Sequence, residues 1–378
     1  MSTALLADRI FDGFRFHDKA AILVSEGRVD AIVPIGDVPS HAQPVMFDDV
    51  LLAPGFVDWH VNGGGGSLFN HDRSIEALRT IANSHARYGT TALLPTLITD
   101  TSLTMDEAAE AASEALHQNV PGVVGVHFEG PNLSREKCGI HDPALIRPIN
   151  DRDEDRLLRS DLGVVVVTLA PERNEATRIA RLAKNGVRVS LGHSNATYEE
   201  GMRAFDLGAG AVTHIYNAMS GLHHREPGLV GAALARRDIT VGVIADGYHV
   251  HPAALRPFVE PGSLERCSLV TDAMSMVGTD LDEFELNGRV VRRDGDRLTT
   301  ADGTLAGSNL DMVGAVRFVV RHCEVALGDA LRMASTIPSS FLGLNDRGHL
   351  RSGARADIVV LSETLHPQGT FILGERVA

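Results

Sequence analysis

Four side chains able to do acid–base or metal chemistry stand at the ends of apolar runs. Glu129 follows Val123–Phe128, His193 follows Val187–Leu191, His214 follows Ala211–Thr213, and Asp272 follows Ser268–Thr271. Short apolar runs of this kind read as buried parallel strands, so each polar residue emerges where its strand stops. In a closed β/α barrel those ends all face one mouth. Two neutral imidazoles and a carboxylate suit a divalent metal such as zinc, and a fourth vertex left to water makes the site catalytic. Asp272 is then the carboxylate that handles the water's proton.

Taken singly, none of these residues compels that reading. Glu129, in His127-Phe-Glu-Gly-Pro131, could be a solvated loop acid, and Asp272 could be a helix N-cap. A lone histidine such as His193 or His214 is more often a hydrogen-bonded core residue than a ligand. Their joint placement at strand ends carries the argument. His60 and Asn62, in Asp58-Trp-His60-Val-Asn62, lie two apart on a strand and so share a face. Two histidines there would build a second metal site. Asparagine is a poor zinc ligand, so His60 supports at most a weak one. The Gly63–Gly66 run lacks the GK[ST] of a phosphate loop and reads as close backbone packing. Asp246-Gly-Tyr-His249, the His223-His-Arg225 loop and His141 look ready to hold substrate, with Arg225 and His249 as a phosphate clamp or else as surface ion pairs. Cys138 earns no catalytic role, since nothing marks it as activated.

Those residues need elements to position them. Eight apolar, β-branched runs span Leu51–Val57, Thr90–Leu94, Val123–Phe128, Val164–Thr168, Val187–Leu191, Ala211–Thr213, Thr240–Ile244 and Ser268–Thr271. Helical stretches lie between many of them. Thr104-Met-Asp-Glu107 and Thr197-Tyr-Glu-Glu200 read as capping boxes, and Arg178–Lys184 and Met312–Ala326 as helices. The alternation predicts an α/β fold, a (β/α)₈ TIM-type barrel over residues 51–343. A doubly wound open sheet would gather its polar residues at one switch point instead. The Asn287-Gly288 and Asp294-Gly295 turns mark a β insertion at about residues 280–300. Residues 1–50 and 344–378 are strand-rich, with a hairpin at Ser25–Arg28 and strands at Ala356–Leu361 and Phe371–Leu373. Together the two termini predict one small β-sandwich domain.

Bulk properties narrow the class. With 44% hydrophobic and 22% charged residues, the chain is an ordinary globular one with material for a large core. A net charge of −14 argues against non-specific nucleic-acid binding, although a local Arg/His cluster could still hold an anionic substrate. Three scattered cysteines give no disulfide framework, so a reducing cytoplasm is expected. No apolar stretch is long enough to span a bilayer, and residues 1–13 do not read as a signal peptide.

At this level of detail the motifs match a known pattern. Pro54-Gly-Phe-Val-Asp-Trp-His60 resembles the first-strand signature of the amidohydrolase superfamily, and Gly348–Leu361 resembles its returning β segment. His127–Pro131, Leu191–Ser194, Thr213–Met219, Arg225–Gly228, Ala245–His249, Val270–Ala273 and Gly303–Ser308 are, in this order, similar to the N-acetylglucosamine-6-phosphate deacetylases of that superfamily. The likeness runs from about residue 50 to residue 360 and implies specific roles. Glu129, His193 and His214 would bind one divalent metal, zinc first, with iron, cobalt or manganese as alternatives. Asp272 would act as base and then acid, and His141 would polarise the acetamide carbonyl. Asn217, the Ala218 backbone and His249 would hold the sugar phosphate, together with Arg225 from the neighbouring subunit of a homodimer. Leu305 would lie near the acyl group. Members of the group differ at the first strand, some carrying His-x-His and two metals; His60-x-Asn62 therefore implies a single tightly held ion here. Two alternatives stay open: an amidohydrolase acting on another N-acyl or cyclic amide, and a non-catalytic barrel. The fourth strand ends Val167-Thr-Leu-Ala-Pro171 without a lysine that could be carboxylated, which disfavours the dihydroorotase and hydantoinase types.

Overall fold

The computed structural model describes residues 2–378. Eight parallel strands form the central sheet: Phe56–Val61, Thr90–Ile98, Gly125–Glu129, Val164–Leu169, Arg188–Leu191, Ala211–Val212, Thr240–Val243 and Cys267–Leu269, each beside the next. The first and last strands meet at their C-terminal ends through a parallel bridge between Val61 and Ala273. Asp272 N donates to His60 O and Asn62 N to Ala273 O, both at 2.9 Å. This seam closes the barrel and sets Asp272 beside His60. A helix follows every strand, from Ile75–Ala86 after the first to Met312–His322 after the eighth.

Both strand faces are covered. Val126, Phe128, Val165, Val167, Leu191, Val241 and Leu269 pack outward against the helices, as expected for strands buried on both sides. Val57, Trp59, Ala92, Leu94, Val166, Ile244 and Val270 form the interior cluster. Trp59 is fully buried there, with its indole N–H donating to Ser268 Oγ at 3.0 Å.

The predicted two-ended β domain is present as one seven-stranded mixed sheet. Its order is Glu375–Arg376, Pro367–Ile372, Ile358–Ser362, Gln43–Pro54, Ser2–Phe11, Phe16–Ser25 and Arg28–Pro34. The insertion is a three-stranded antiparallel sheet, Glu283–Leu286, Arg289–Asp294 and Arg297–Thr300. Its Leu286, Val291 and Leu298 pack on Leu68, Ile98, Met274 and Met276 at the barrel rim.

Several sequence-derived boundaries shift. The apolar run Leu51–Val57 is two strands in two sheets: Leu51–Pro54 ends the long Gln43–Pro54 strand of the small sheet, and the first barrel strand begins at Phe56. Hydrophobicity is continuous across the junction because both sheets are buried there, and only Pro54, which lacks an N–H, marks the break. The second strand runs on to Ile98. The helix assigned to Thr104 starts earlier: Thr101 is its N-cap and accepts from Thr104 N, leaving Thr104 in the first turn. The Thr197–Glu200 box is reciprocal as expected. The Met312 helix stops at His322 rather than Ala326, because Glu324 turns left-handed (φ 57°) before a separate helix at Leu327–Ala334. The strand expected at Phe371–Leu373 starts earlier, running over Pro367–Ile372.

Gly242 on the seventh strand allows Trp59 to lie flat in the interior: a Cβ there would stand 2.8 Å from the indole Cζ2. Gly242→Ala should therefore overpack the barrel and cost roughly 1–3 kcal/mol, read as a lower midpoint in urea with an unchanged slope. A midpoint equal to wild type would contradict this packing.

Candidate active site

Glu129 is the last residue of the third strand, while His193, His214 and Asp272 sit two, two and three residues beyond the fifth, sixth and eighth. His193 (φ 47°), His214 (φ 30°) and Asp272 (φ 52°) all adopt left-handed backbone. Non-glycine residues rarely do so, and when they do the surroundings must hold them. Here the turn swings each side chain from its strand end over the barrel axis.

The side chains converge. His214 Nε2 lies 3.0 Å from Glu129 Oε1 and 3.1 Å from His193 Nε2, and His193 Nε2 lies 3.2 Å from the same carboxylate oxygen. His193 Nδ1 faces the Lys137 carbonyl at 2.9 Å, which can only accept, so Nδ1 carries the proton and Nε2 offers a lone pair. Three donor atoms crowded this closely repel unless a cation or shared proton lies among them. Two imidazole nitrogens and a carboxylate oxygen are also the donor set a divalent metal takes. The residues fit such an ion.

A second group shares Glu129. His60 Nε2 lies 3.2 Å from Glu129 Oε2 and 3.1 Å from Asp272 Oδ1, and Asn62 Nδ2 donates to Asp272 Oδ1 at 2.6 Å. Burial pulls the His60 pKa down, but the Glu129 and Asp272 charges outweigh it and hold it well above the ordinary histidine value. Burial raises Asp272, yet the His60 charge prevails and keeps this carboxyl below its usual range. Beneath them, fully buried Asp58 accepts from His60 N (3.1 Å) and from Thr271 Oγ1 (2.5 Å), fixing the backbone that carries both neighbours.

His141 reaches the site from the loop after the third strand. Its Nδ1 accepts from Thr99 N at 3.2 Å, so Nε2 bears the proton and points toward Glu129 Oε2, 3.6 Å away. Burial pushes its pKa down to about 4, which keeps the ring neutral and a donor. His249 Nδ1 pairs with Asp246 Oδ2 at 2.6 Å. Burial lowers the His249 pKa, but the Asp246 bond and charge prevail and raise it.

Glu129, His141, His193, His214, His249 and Asp272 line a cavity of about 520 Å³, with Asn217, Ala218 and Leu305 on its walls. Most of the residues selected from the sequence are thus together. Arg225 is not: it lies in an exposed loop and does not line the pocket of its own chain. The sequence reading also missed lining residues. Asn62 was seen only as a failed ligand, and Glu136, Lys137, Ile140 and Arg297 carried no signal, being loop or hairpin residues brought in by tertiary packing. Cys138 is half-buried beside this loop and unpaired, and burial pushes the Cys267 thiol up to about 12.

Among the described residues no helix is long and apolar enough to cross a membrane. Comparison with known proteins follows the same lines as the geometry. An N-acetylgalactosamine-6-phosphate deacetylase of Shewanella sp. (strain ANA-3) is 45% identical over 325 residues, 86% of this chain and 82% of that one. A protein of the same name from Escherichia coli O157:H7 is 37% identical over 99% of both chains. The crystal structure of N-acetylglucosamine-6-phosphate deacetylase from Pasteurella multocida superimposes with a TM-score of 0.95 at 33% identity, covering 100% of this chain and 99% of that one. The amidohydrolase family model matches residues 51–377, and with the barrel and the histidine–carboxylate centre in place, the chain belongs to the amidohydrolase family.

Proposed function

We propose that this protein is a metal-dependent deacetylase of N-acetylhexosamine 6-phosphates, releasing acetate and the free amino-sugar phosphate, with the galactosamine epimer preferred. The observation that carries the reaction is the convergence of Glu129, His193 and His214 beside an ionised Asp272. The 45% identity to a galactosamine-type relative supports the epimer. The glucosamine epimer, expected from the motifs, is the second reading, and the whole-chain likeness to the Pasteurella enzyme favours it.

In this reading Glu129, His193 and His214 hold one divalent ion, which when bound supplies Lewis-acid polarisation of the acetamide carbonyl and acidifies water. His60, held as a cation between the two carboxylates, takes the place of a second ion. Asp272 removes a proton from the attacking water. Its Oδ1 is oriented by Asn62 and His60, so the lone pair meets the water from a fixed direction. His141 Nε2–H donates to the oxygen that becomes the oxyanion, and its low pKa keeps the ring neutral, with Nδ1 free to accept from Thr99 N. Asp272 then delivers its proton to the departing amine. Leu305 and Met274 form an apolar wall for the acetyl methyl. Asn217, Ala218 N and His249 bind the sugar phosphate, and Arg225 comes from a second copy of the chain.

Acetate release should be measured on both epimeric 6-phosphates. A higher kcat/KM for the galactosamine form is expected, and a clear preference for the glucosamine form selects the second reading. Asp272→Asn should keep substrate affinity while kcat falls by about 10²–10⁴; near-normal kcat would remove Asp272 from the reaction. Dialysis against a chelator should abolish turnover, and zinc, iron, cobalt or manganese should be tested for its return. Elemental analysis before chelation should give about one metal equivalent per chain; two retained equivalents would assign His60 to a second ion.

A further inference from the structure

Arg297 opens the last strand of the insertion, directly after the Asp294-Gly295 turn, and its strand partner across that turn is Asp294. It lines the same cavity as His249, Asn217, Ala218 and Leu305. On the middle strand of the insertion Arg292 pairs with Glu283 and Arg293 with Asp282, whereas Arg289, like Arg297, has no ion pair among the described residues. The Arg297 guanidinium makes no ion pair or hydrogen bond among the described residues, although the protein carries an excess of acidic side chains. An exposed, unpaired arginine is ordinarily a solvated surface charge. This one differs in facing a pocket that already holds a second cationic group.

Its neighbour Leu298 is buried with Leu286 and Val291 against Met274, Met276 and Ile98. That packing fixes the hairpin on the rim, so the guanidinium is presented from a supported strand. The Thr299–Leu305 bridge ties the strand to the loop that carries Leu305 into the pocket. The charge of Arg297 also reaches His249 and opposes protonation of its imidazole. His249 is paired with Asp246 through Nδ1, which leaves its Nε2 and the Arg297 guanidinium facing one cavity. A phosphate monoester dianion satisfies both, and guanidinium binds it through two parallel N–H bonds.

We propose that Arg297 holds the substrate's 6-phosphate opposite His249, supplied by the chain that also holds the reaction centre. This rests on the deacetylase reading above. It makes the insertion a recognition element: the strand ends carry the chemistry, and the hairpin reports whether the sugar is phosphorylated. Arg225, supplied in this reading by another copy, then adds to a phosphate site that one chain has already begun.

The test compares kcat/KM for an N-acetylhexosamine 6-phosphate with that for the same sugar lacking phosphate, in wild type, Arg297→Ala and Arg297→Lys. In wild type the phosphorylated sugar should be strongly preferred; no preference would overturn the deacetylase reading itself. In Arg297→Ala the preference ratio should fall by about tenfold or more, as expected for one charge-assisted contact, chiefly through KM with kcat nearly retained. Arg297→Lys should recover part of the ratio, which a merely structural role would not produce. A wild-type preference that persists undiminished in Arg297→Ala would overturn the assignment.

Discussion

Glu129 is a carboxylate buried in a ring of imidazoles, and the rest of the molecule is arranged around that fact. His60, His141, His193 and His214 all place a nitrogen within 3.6 Å of its oxygens. An ionised carboxylate taken out of water costs several kcal/mol unless opposite charge and hydrogen bonds surround it. Burial pushes the Glu129 pKa up, yet the His60 charge and the hydrogen bond from His141 oppose this, and it is held well below the usual value. The group is therefore a fixed anion inside the barrel. Removing any of its cationic or donor partners would leave charge stranded, so the four rings are coupled to one another through one side chain.

The scaffold meets this demand in layers. Under the site, polar barrel residues form a network: His127 bonds Thr168, Thr168 contacts Thr213, and Thr213 contacts Ser190. Burial holds the His127 pKa well below the ordinary histidine value, so this layer stays uncharged beneath a charged one. Asp58 works at the closing seam, where it bonds the backbone on both the first and the eighth strand. Hence the joint that closes the barrel also fixes the distance between His60 and Asp272. Left-handed residues at His193, His214 and Asp272 are tolerated because each is locked by hydrogen bonds on both sides of the turn; Ser194 N, for example, donates to Ala218 O and Ser220 N to Ser194 O.

Much of this was legible in the residues. The alternation of apolar runs and capping signals predicts eight strands with crossover helices, and the polar residue after each run predicts a shared mouth. The reading failed where the deciding information is tertiary. The Leu51–Val57 run is uniformly apolar although it crosses from one sheet to another, because composition reports burial and not which sheet does the burying. Thr104 reads as a cap in sequence, yet the helix begins one turn earlier and Thr101 is the residue that accepts from Thr104 N. Arg297 is invisible to any motif, since a hairpin arginine has no fixed spacing from the strands it overhangs.

The same division explains why the sequence names a reaction more readily than a sugar. The scissile amide must meet the centre built by Glu129, His193, His214 and Asp272, so the residue types at the strand ends are set by chemistry and are the same for either epimer. Galactosamine and glucosamine differ only in the direction of the C4 hydroxyl. A site that hydrogen-bonds a hydroxyl rejects the misplaced one strongly, because its own polar groups are then left unpaired. The groups able to do this line the pocket away from the strand ends: Glu136 and Lys137 on one side, Thr304 beside Leu305 on the other. They belong to the loop after the third strand and to the segment joining the insertion to the last helix of the barrel. Both segments pack on the rim rather than in the core, so their side chains can change without disturbing the buried carboxylate. Under the proposed reading, discrimination between the epimers falls to these wall side chains rather than to the strand-end residues that build the centre.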